Sequence, residues 1–129
     1  MIRTILLFLL TFLILHGCQE GEQIDLSNLP AEEQQALTAL AWLKGADAER
    51  DAQQAFARGD LRLLAMATRG ASMPGIPTEL ASKAKSVCGI RYLEGSTDAV
   101  VSDMHLKLLQ KAEKYAATYN GIMLQHCMK

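Results

Sequence analysis

An apolar run opens the chain and gives way to a polar stretch. Residues 5–15 are apolar apart from Thr11. A run of this length is typical of a signal-peptide core, because a membrane-spanning helix needs about 20 such residues. Residues 19–28 are polar and lack a helical period, so we interpret them as a tether.

Two helical patterns follow the tether. Apolar residues at helical spacing predict a first helix over residues 30–44, which Gly45 would end. Asp47 can begin a second helix, which should end at Gly59 and pack closely on a neighbour through its alanine-rich stripe. Two helices separated by a glycine suggest a helical hairpin.

The next part of the chain predicts a strand–helix–strand unit. Residues 61–68 fit a short buried strand, whereas residues 69–77 hold two glycines and two prolines and should form a loop. Thr78 can cap a helix over residues 78–88, and residues 90–93 are expected to form a second strand. This order favours a parallel pair of strands.

A last helix is expected to begin near Asp98 or Ser102. Asn120 and Gly121 should end it, which leaves residues 122–127 as a short strand or as a segment held by a disulfide. The whole order predicts a small α/β fold, with α+β as the alternative. We expect its helices to cover a sheet of two or three strands.

The end of the leader carries a recognisable motif. Leu15-His16-Gly17-Cys18 resembles the lipobox of bacterial lipoproteins, with Leu three residues before the cysteine and Gly directly before it. His16 departs from the small residue usual there. The resemblance covers about the first 20 residues and implies that residues 1–17 are cleaved off. It also implies that Cys18 is acylated on its sulfur and on its new amino group.

The same resemblance implies a location. Gln19 stands where an Asp would retain a lipoprotein at the inner membrane, which implies the outer membrane and a domain that faces the periplasm. Several acyl chains on Cys18 would anchor the chain stably. The predicted organisation is then a tether over residues 18–28 and a single domain over residues 29–129. The alternatives are an uncleaved anchor or an ordinary secretory signal.

Two cysteines, Cys88 and Cys127, remain free to pair if Cys18 is acylated. Cys88 and Cys127 would then lie in an oxidising compartment, which predicts a disulfide between them. Two free buried thiols are the alternative.

Charge and motifs narrow the classes of function. Without residues 1–17 the chain holds 12 Lys and Arg against 14 Asp and Glu, a balance that does not indicate nucleic-acid binding. The spacings of His and Cys form no zinc motif, and no P-loop or G-x-S-x-G motif occurs. We therefore expect no cofactor, no metal and no catalytic residue.

A few residues are candidates for contact with a ligand or partner. One lies in the loop before a helix, two follow the second strand, one lies at the edge of the last helix's apolar stripe, and three form a basic row on that helix. The row could contact anionic lipid or an acidic partner. These residues are Arg69, Glu94, Asp98, His105, Lys107, Lys111 and Lys114.

Taken together, these patterns predict a noncatalytic accessory or binding module that is anchored to the membrane by lipid. Its partner would be an envelope protein, peptidoglycan or lipid. The alternative is a small periplasmic hydrolase or ligand-binding domain that uses the loop over residues 69–77.

Overall fold

The computed structural model describes residues 25–67 and 70–129. The predicted leader over residues 1–17, the predicted lipidation site Cys18 and the loop residue Arg69 lie outside them. The described elements are α1 (Ala31–Ala39), a 3₁₀ helix (Ala41–Gly45), α2 (Ala48–Ala57), β1 (Leu63–Ala65), α3 (Thr78–Cys88), β2 (Ile90–Tyr92) and α4 (Asp103–Cys127). This order confirms the α/β class.

The two strands form a parallel pair, as predicted. Leu63 lies opposite Ile90, and Ala65 lies opposite Tyr92. The βα connection returns close to the end of β1, where Met66 forms an antiparallel bridge with Ser72. The unit therefore brings the loop after β1 to the carboxyl ends of both strands.

The long helix α4 is the centre of the core. It packs against α1, α2, α3 and β1. Its buried face rests on the fully buried leucines of β1, Leu63 and Leu64. This face consists of His105, Leu109, Ala112, Ala116, Tyr119, Asn120 and Met123.

The alanine-rich helix α2 packs closely, as its composition predicts. Ala52 and Ala55 are buried, and α2 makes the most extensive helix packing with α4. Asp47 caps it by accepting a hydrogen bond from the backbone N–H of Arg50 at 2.9 Å. The predicted hairpin is not the main contact, because α1 and α2 each pack chiefly on α4.

The first predicted helix is divided in two. α1 ends at Ala39, and a tighter 3₁₀ turn follows. That turn places Trp42 so that its indole N–H donates to the carbonyl of Glu94 at 3.1 Å. The indole ring also meets the edge of Tyr115, with ring centroids 5.1 Å apart. These tertiary contacts favour the break that the local pattern did not indicate.

The predicted bounds of α3, residues 78–88, are confirmed, but its predicted cap and the predicted end of the last helix were wrong. Pro77, and not Thr78, is the capping residue of α3, and no side-chain bond caps that helix. The φ of −56° that the proline ring imposes suits the entry to a helix. The predicted end of the last helix at Asn120 and Gly121 is also wrong, because α4 continues to Cys127 and leaves no terminal strand.

The predicted cysteine pair is present in the structure. The sulfur atoms of Cys88 and Cys127 are 2.00 Å apart, and their Cα atoms are 5.4 Å apart. These are the last residues of α3 and α4, so the bond holds the carboxyl ends of the two helices together.

Candidate functional site

A cleft of about 450 Å³ lies beyond the carboxyl ends of the two strands. Ligand sites of parallel α/β folds occur at this end, and the volume lies in the range of ligand pockets. The loop after β1, the segment after β2 and the first half of α4 line it. The lining residues are Met66, Ser72, Thr97, Asp98, Val100, Leu106, Leu109, Gln110 and Glu113.

Hydrogen bonds hold the first two walls together. Within the first wall, the backbone N–H of Met66 donates to the carbonyl of Ser72 at 2.8 Å and closes the loop after β1. The hydroxyl of Ser96 accepts from the N–H of Ala67 at 2.9 Å and donates to the carbonyl of Leu93 at 2.7 Å. The ends of β1 and β2 are thereby joined at the mouth of the cleft.

The loop after β1 is fixed against α4. Asn120 donates to the carbonyl of Pro74 at 2.8 Å. Gly75 has a φ of +76°, and a Cβ there would lie 2.6 Å from the carbonyl oxygen of Ala117. The absence of a side chain at Gly75 therefore allows the loop to approach the helix closely.

A second cavity extends the cleft along α4. It has a volume of about 540 Å³ and shares Gln110 and Glu113 with the cleft. The remaining lining residues are Pro74, Gly75, Lys114 and Ala117.

His105 positions the third wall. Its side chain is 1% exposed, and its Nδ1 accepts a hydrogen bond from the backbone N–H of Val101 at 3.3 Å. Ser102 caps α4 by accepting from the N–H of His105 at 3.1 Å. The buried Nε2 of His105 has no hydrogen-bond partner among the described residues. The sequence pattern predicted His105 at the edge of the apolar stripe of the last helix, whereas the structure places it in the core.

The cleft combines apolar walls with acidic groups. Val100 and Leu106 are 47% and 41% exposed, which is high for large apolar side chains that line a concave surface. Asp98 and Glu113 also line it, and its described lining contains no Lys or Arg. A ligand with an apolar group next to a positively charged group would therefore complement this lining.

The other predicted contact residues are dispersed. Glu94 is exposed and contributes its carbonyl to Trp42, but it does not line the cleft. Lys107 and Lys111 are exposed on α4, and Lys114 lines the second cavity. Of the predicted residues, Asp98 lies in the cleft itself.

Sequence reasoning missed the contribution of α4 to the cleft. Leu106, Gln110 and Glu113 were not predicted to take part. Leu106 carried a usable signal, because it is an apolar residue that lies outside the helix's buried stripe.

The carboxyl groups of Asp98 and Glu113 line the cleft, whereas the two histidines of the described residues lie elsewhere. His105 is buried in the core, where its Nδ1 accepts a hydrogen bond from Val101. His126 stacks on Phe56, with ring centroids 4.0 Å apart. Ser72 lines the cleft as well. In residues 25–67 and 70–129, no three His, Cys, Asp or Glu side chains are placed to hold one metal ion. None of the helices in this part of the chain is long and apolar enough to cross a membrane.

Comparison with protein families, with curated proteins and with solved structures finds no match for this chain.

Proposed function

We propose that this protein is a noncatalytic binding module, held by acylated Cys18 at the periplasmic face of the outer membrane. The motif at Leu15-His16-Gly17-Cys18 supports the anchor. The observation that carries the binding role is the cleft, in which Val100 and Leu106 present exposed apolar surface.

The lining of the cleft supports a partner that carries apolar and basic groups. An apolar side chain would bury the surface of Val100 and Leu106, and each Å² of apolar surface removed from water contributes about 25 cal/mol. The carboxylate of Glu113 would favour a basic group beside it. A short segment of an envelope protein with adjacent apolar and basic residues meets both requirements. Attachment to the same membrane would raise the effective concentration of a weak partner.

The anchor is tested by comparing the native chain with Cys18→Ser. Metabolic labelling with a fatty acid and mass spectrometry of the amino terminus should show an acylated Cys18 in the native chain, and the variant should leave the membrane fraction. An intact amino terminus, or a native chain with a free thiol at Cys18, would contradict the anchor.

The cleft is tested by photocrosslinking in intact cells. A photoreactive residue at Leu106 should give one defined protein adduct, and the same residue at Thr118, which is exposed outside the cleft, should not. The substitution Val100→Lys should weaken the adduct at Leu106, because it removes apolar surface and repels a basic partner. Equal adducts from both positions would sink the proposal, and an adduct with lipid or glycan would favour a small-molecule site in the same cleft.

A further inference from the structure

The two edges of the sheet differ in how their backbone groups are satisfied. On β1, the groups of Leu64 point away from β2. The side chain of Asn120 occupies that edge, because it accepts from the N–H of Leu64 at 2.7 Å and donates to its carbonyl at 2.9 Å. The outer edge of β1 is therefore closed from within the fold.

The outer edge of β2 is not closed in the same way. The N–H of Leu63 donates to the carbonyl of Gly89, and the N–H of Leu93 donates to the carbonyl of Ala65. In a parallel pair this alternation directs the backbone groups of alternate residues away from the partner strand. On β2 these outward groups belong to Ile90 and Tyr92.

The outward groups of Ile90 and Tyr92 have no hydrogen-bond partner within residues 25–67 and 70–129. In this part of the chain β2 packs mainly on β1, and no helix packs broadly against it. The side chain of Tyr92 is 57% exposed. An accessible strand edge with unpaired donors and acceptors can accept another strand.

The strand β2 carries one charged residue, Arg91. Arg91 lies between the two residues with outward groups, and its guanidinium carbon is 5.5 Å from the ring centroid of Tyr119. Its guanidinium donates no hydrogen bond among the described residues, whereas the neighbouring Arg62 is paired with Asp60 at 3.0 Å. Arg91 also lies close enough to Asp60 to help lower its pKa, so one carboxylate stands against two guanidinium groups and one positive charge is left in excess.

We propose that the outer edge of β2 binds an extended, acidic segment of a partner protein as a third strand. The backbone groups of Ile90 and Tyr92 would supply the hydrogen bonds, and a carboxylate opposite Arg91 would supply the charge contact. A second copy of this chain fits less well, because antiparallel pairing of Ile90 with Tyr92 would place two Arg91 side chains opposite each other. This surface is separate from the cleft, so the inference does not rest on the proposed function.

The test uses the purified full chain in detergent, labelled with ¹⁵N. The probes are two capped peptides, Thr-Val-Glu-Val-Thr and Thr-Val-Lys-Val-Thr. The Glu peptide should shift the amide signals of Ile90 and Tyr92 and slow their hydrogen exchange. It should bind about fivefold more tightly than the Lys peptide, and high salt should reduce the difference.

Two variants locate the contact. Tyr92→Pro removes one outward N–H but leaves the groups that Arg91 and Leu93 direct towards β1, so it should abolish binding. The matched control Tyr92→Thr keeps that N–H and should bind. Arg91→Glu should reverse the preference between the two peptides, which keeps the test decisive if the proline variant does not fold.

Several outcomes would overturn the inference. They are equal binding of the two peptides, binding that survives in a folded Tyr92→Pro variant, and millimolar peptide that leaves Ile90 and Tyr92 unchanged. Shifts centred on Leu106 and Glu113 would assign the peptide to the cleft instead. Shifts at Ile90 that depend on protein concentration alone would show pairing between two copies.

Discussion

The side-chain amide of Asn120 hydrogen bonds both backbone groups of Leu64 and so acts as a substitute strand for β1. Its Oδ1 accepts from the N–H of Leu64 at 2.7 Å, and its Nδ2 donates to the carbonyls of Leu64 and Pro74 at 2.9 and 2.8 Å. Asn120 is fully buried. One residue therefore connects the sheet, the loop of the cleft and the central helix.

Replacement of Asn120 should be strongly destabilising. Asn120→Leu leaves the backbone groups of Leu64 and the carbonyl of Pro74 buried without partners, and we expect a loss of at least about 3 kcal/mol in the free energy of unfolding. Urea denaturation measures this loss. Asn120→Asp, which can still accept from Leu64 N but cannot donate as the ionised acid, should also be destabilising. Thr118→Ala, at an exposed position of α4, serves as the control, and a loss for Asn120→Leu no larger than that of the control would contradict the role.

Gly75 should tolerate substitution less well than another glycine with the same backbone conformation. Gly59 has a φ of +78° and open space around it, so Gly59→Ala should cost about 1–2 kcal/mol from backbone strain alone. Gly75→Ala adds a Cβ 2.6 Å from the carbonyl oxygen of Ala117, so the total should be about 3 kcal/mol or more. Thermal denaturation of the two variants compares them, and equal losses would show that the loop does not need its close approach to α4.

Loss of the disulfide should loosen the ends of α3 and α4. Cys88 and Cys127 are 39 residues apart, and the chain-entropy treatment gives about 4 kcal/mol for a loop of this length. The double variant Cys88→Ser and Cys127→Ser should unfold at lower urea concentration than the native chain. Reductant should shift the native chain towards the variant and leave the variant unchanged, whereas a native chain that is insensitive to reductant would argue against the bond.

Asp60 should make the free energy of unfolding decrease as the pH falls into the acid range. Hydrogen bonds from the Arg62 side chain lower the pKa of Asp60 to about 2 from its ordinary 3.8. Because the folded-state pKa is the lower one, this contribution is present above about pH 4 and is lost as the pH falls towards 2.

The variant Asp60→Asn tests this dependence. Its free energy of unfolding should fall less steeply between about pH 4 and 2 than that of the native chain, and salt should reduce the difference because the pair is partly exposed. Arg62→Gln removes the donor and should behave in the same way. Parallel curves for the native chain and both variants would refute the coupling.

Local signals predicted the features that depend on neighbouring residues. Asp47 caps α2 as expected, because an N-cap needs a side chain and a backbone N–H three residues apart. The order of strand, helix and strand over residues 61–93 likewise predicted the parallel pair. The cleft was harder to predict, because Leu106 and Glu113 meet Asp98 only after α4 docks against the strand ends.

The sequence by itself was enough to predict the α/β order and the pairing of Cys88 with Cys127, and it holds the lipobox-like pattern of the leader. Only the tertiary structure decided that α4 runs through Asn120 and Gly121, and that His105 is a core residue. The reason is that the tertiary interactions of α4 are stronger than the local preference of Asn120 and Gly121 to end a helix. A helix-ending preference amounts to about 1 kcal/mol per residue, whereas three buried hydrogen bonds from Asn120 and the packing of α4 on the sheet exceed it and exist only in the folded chain.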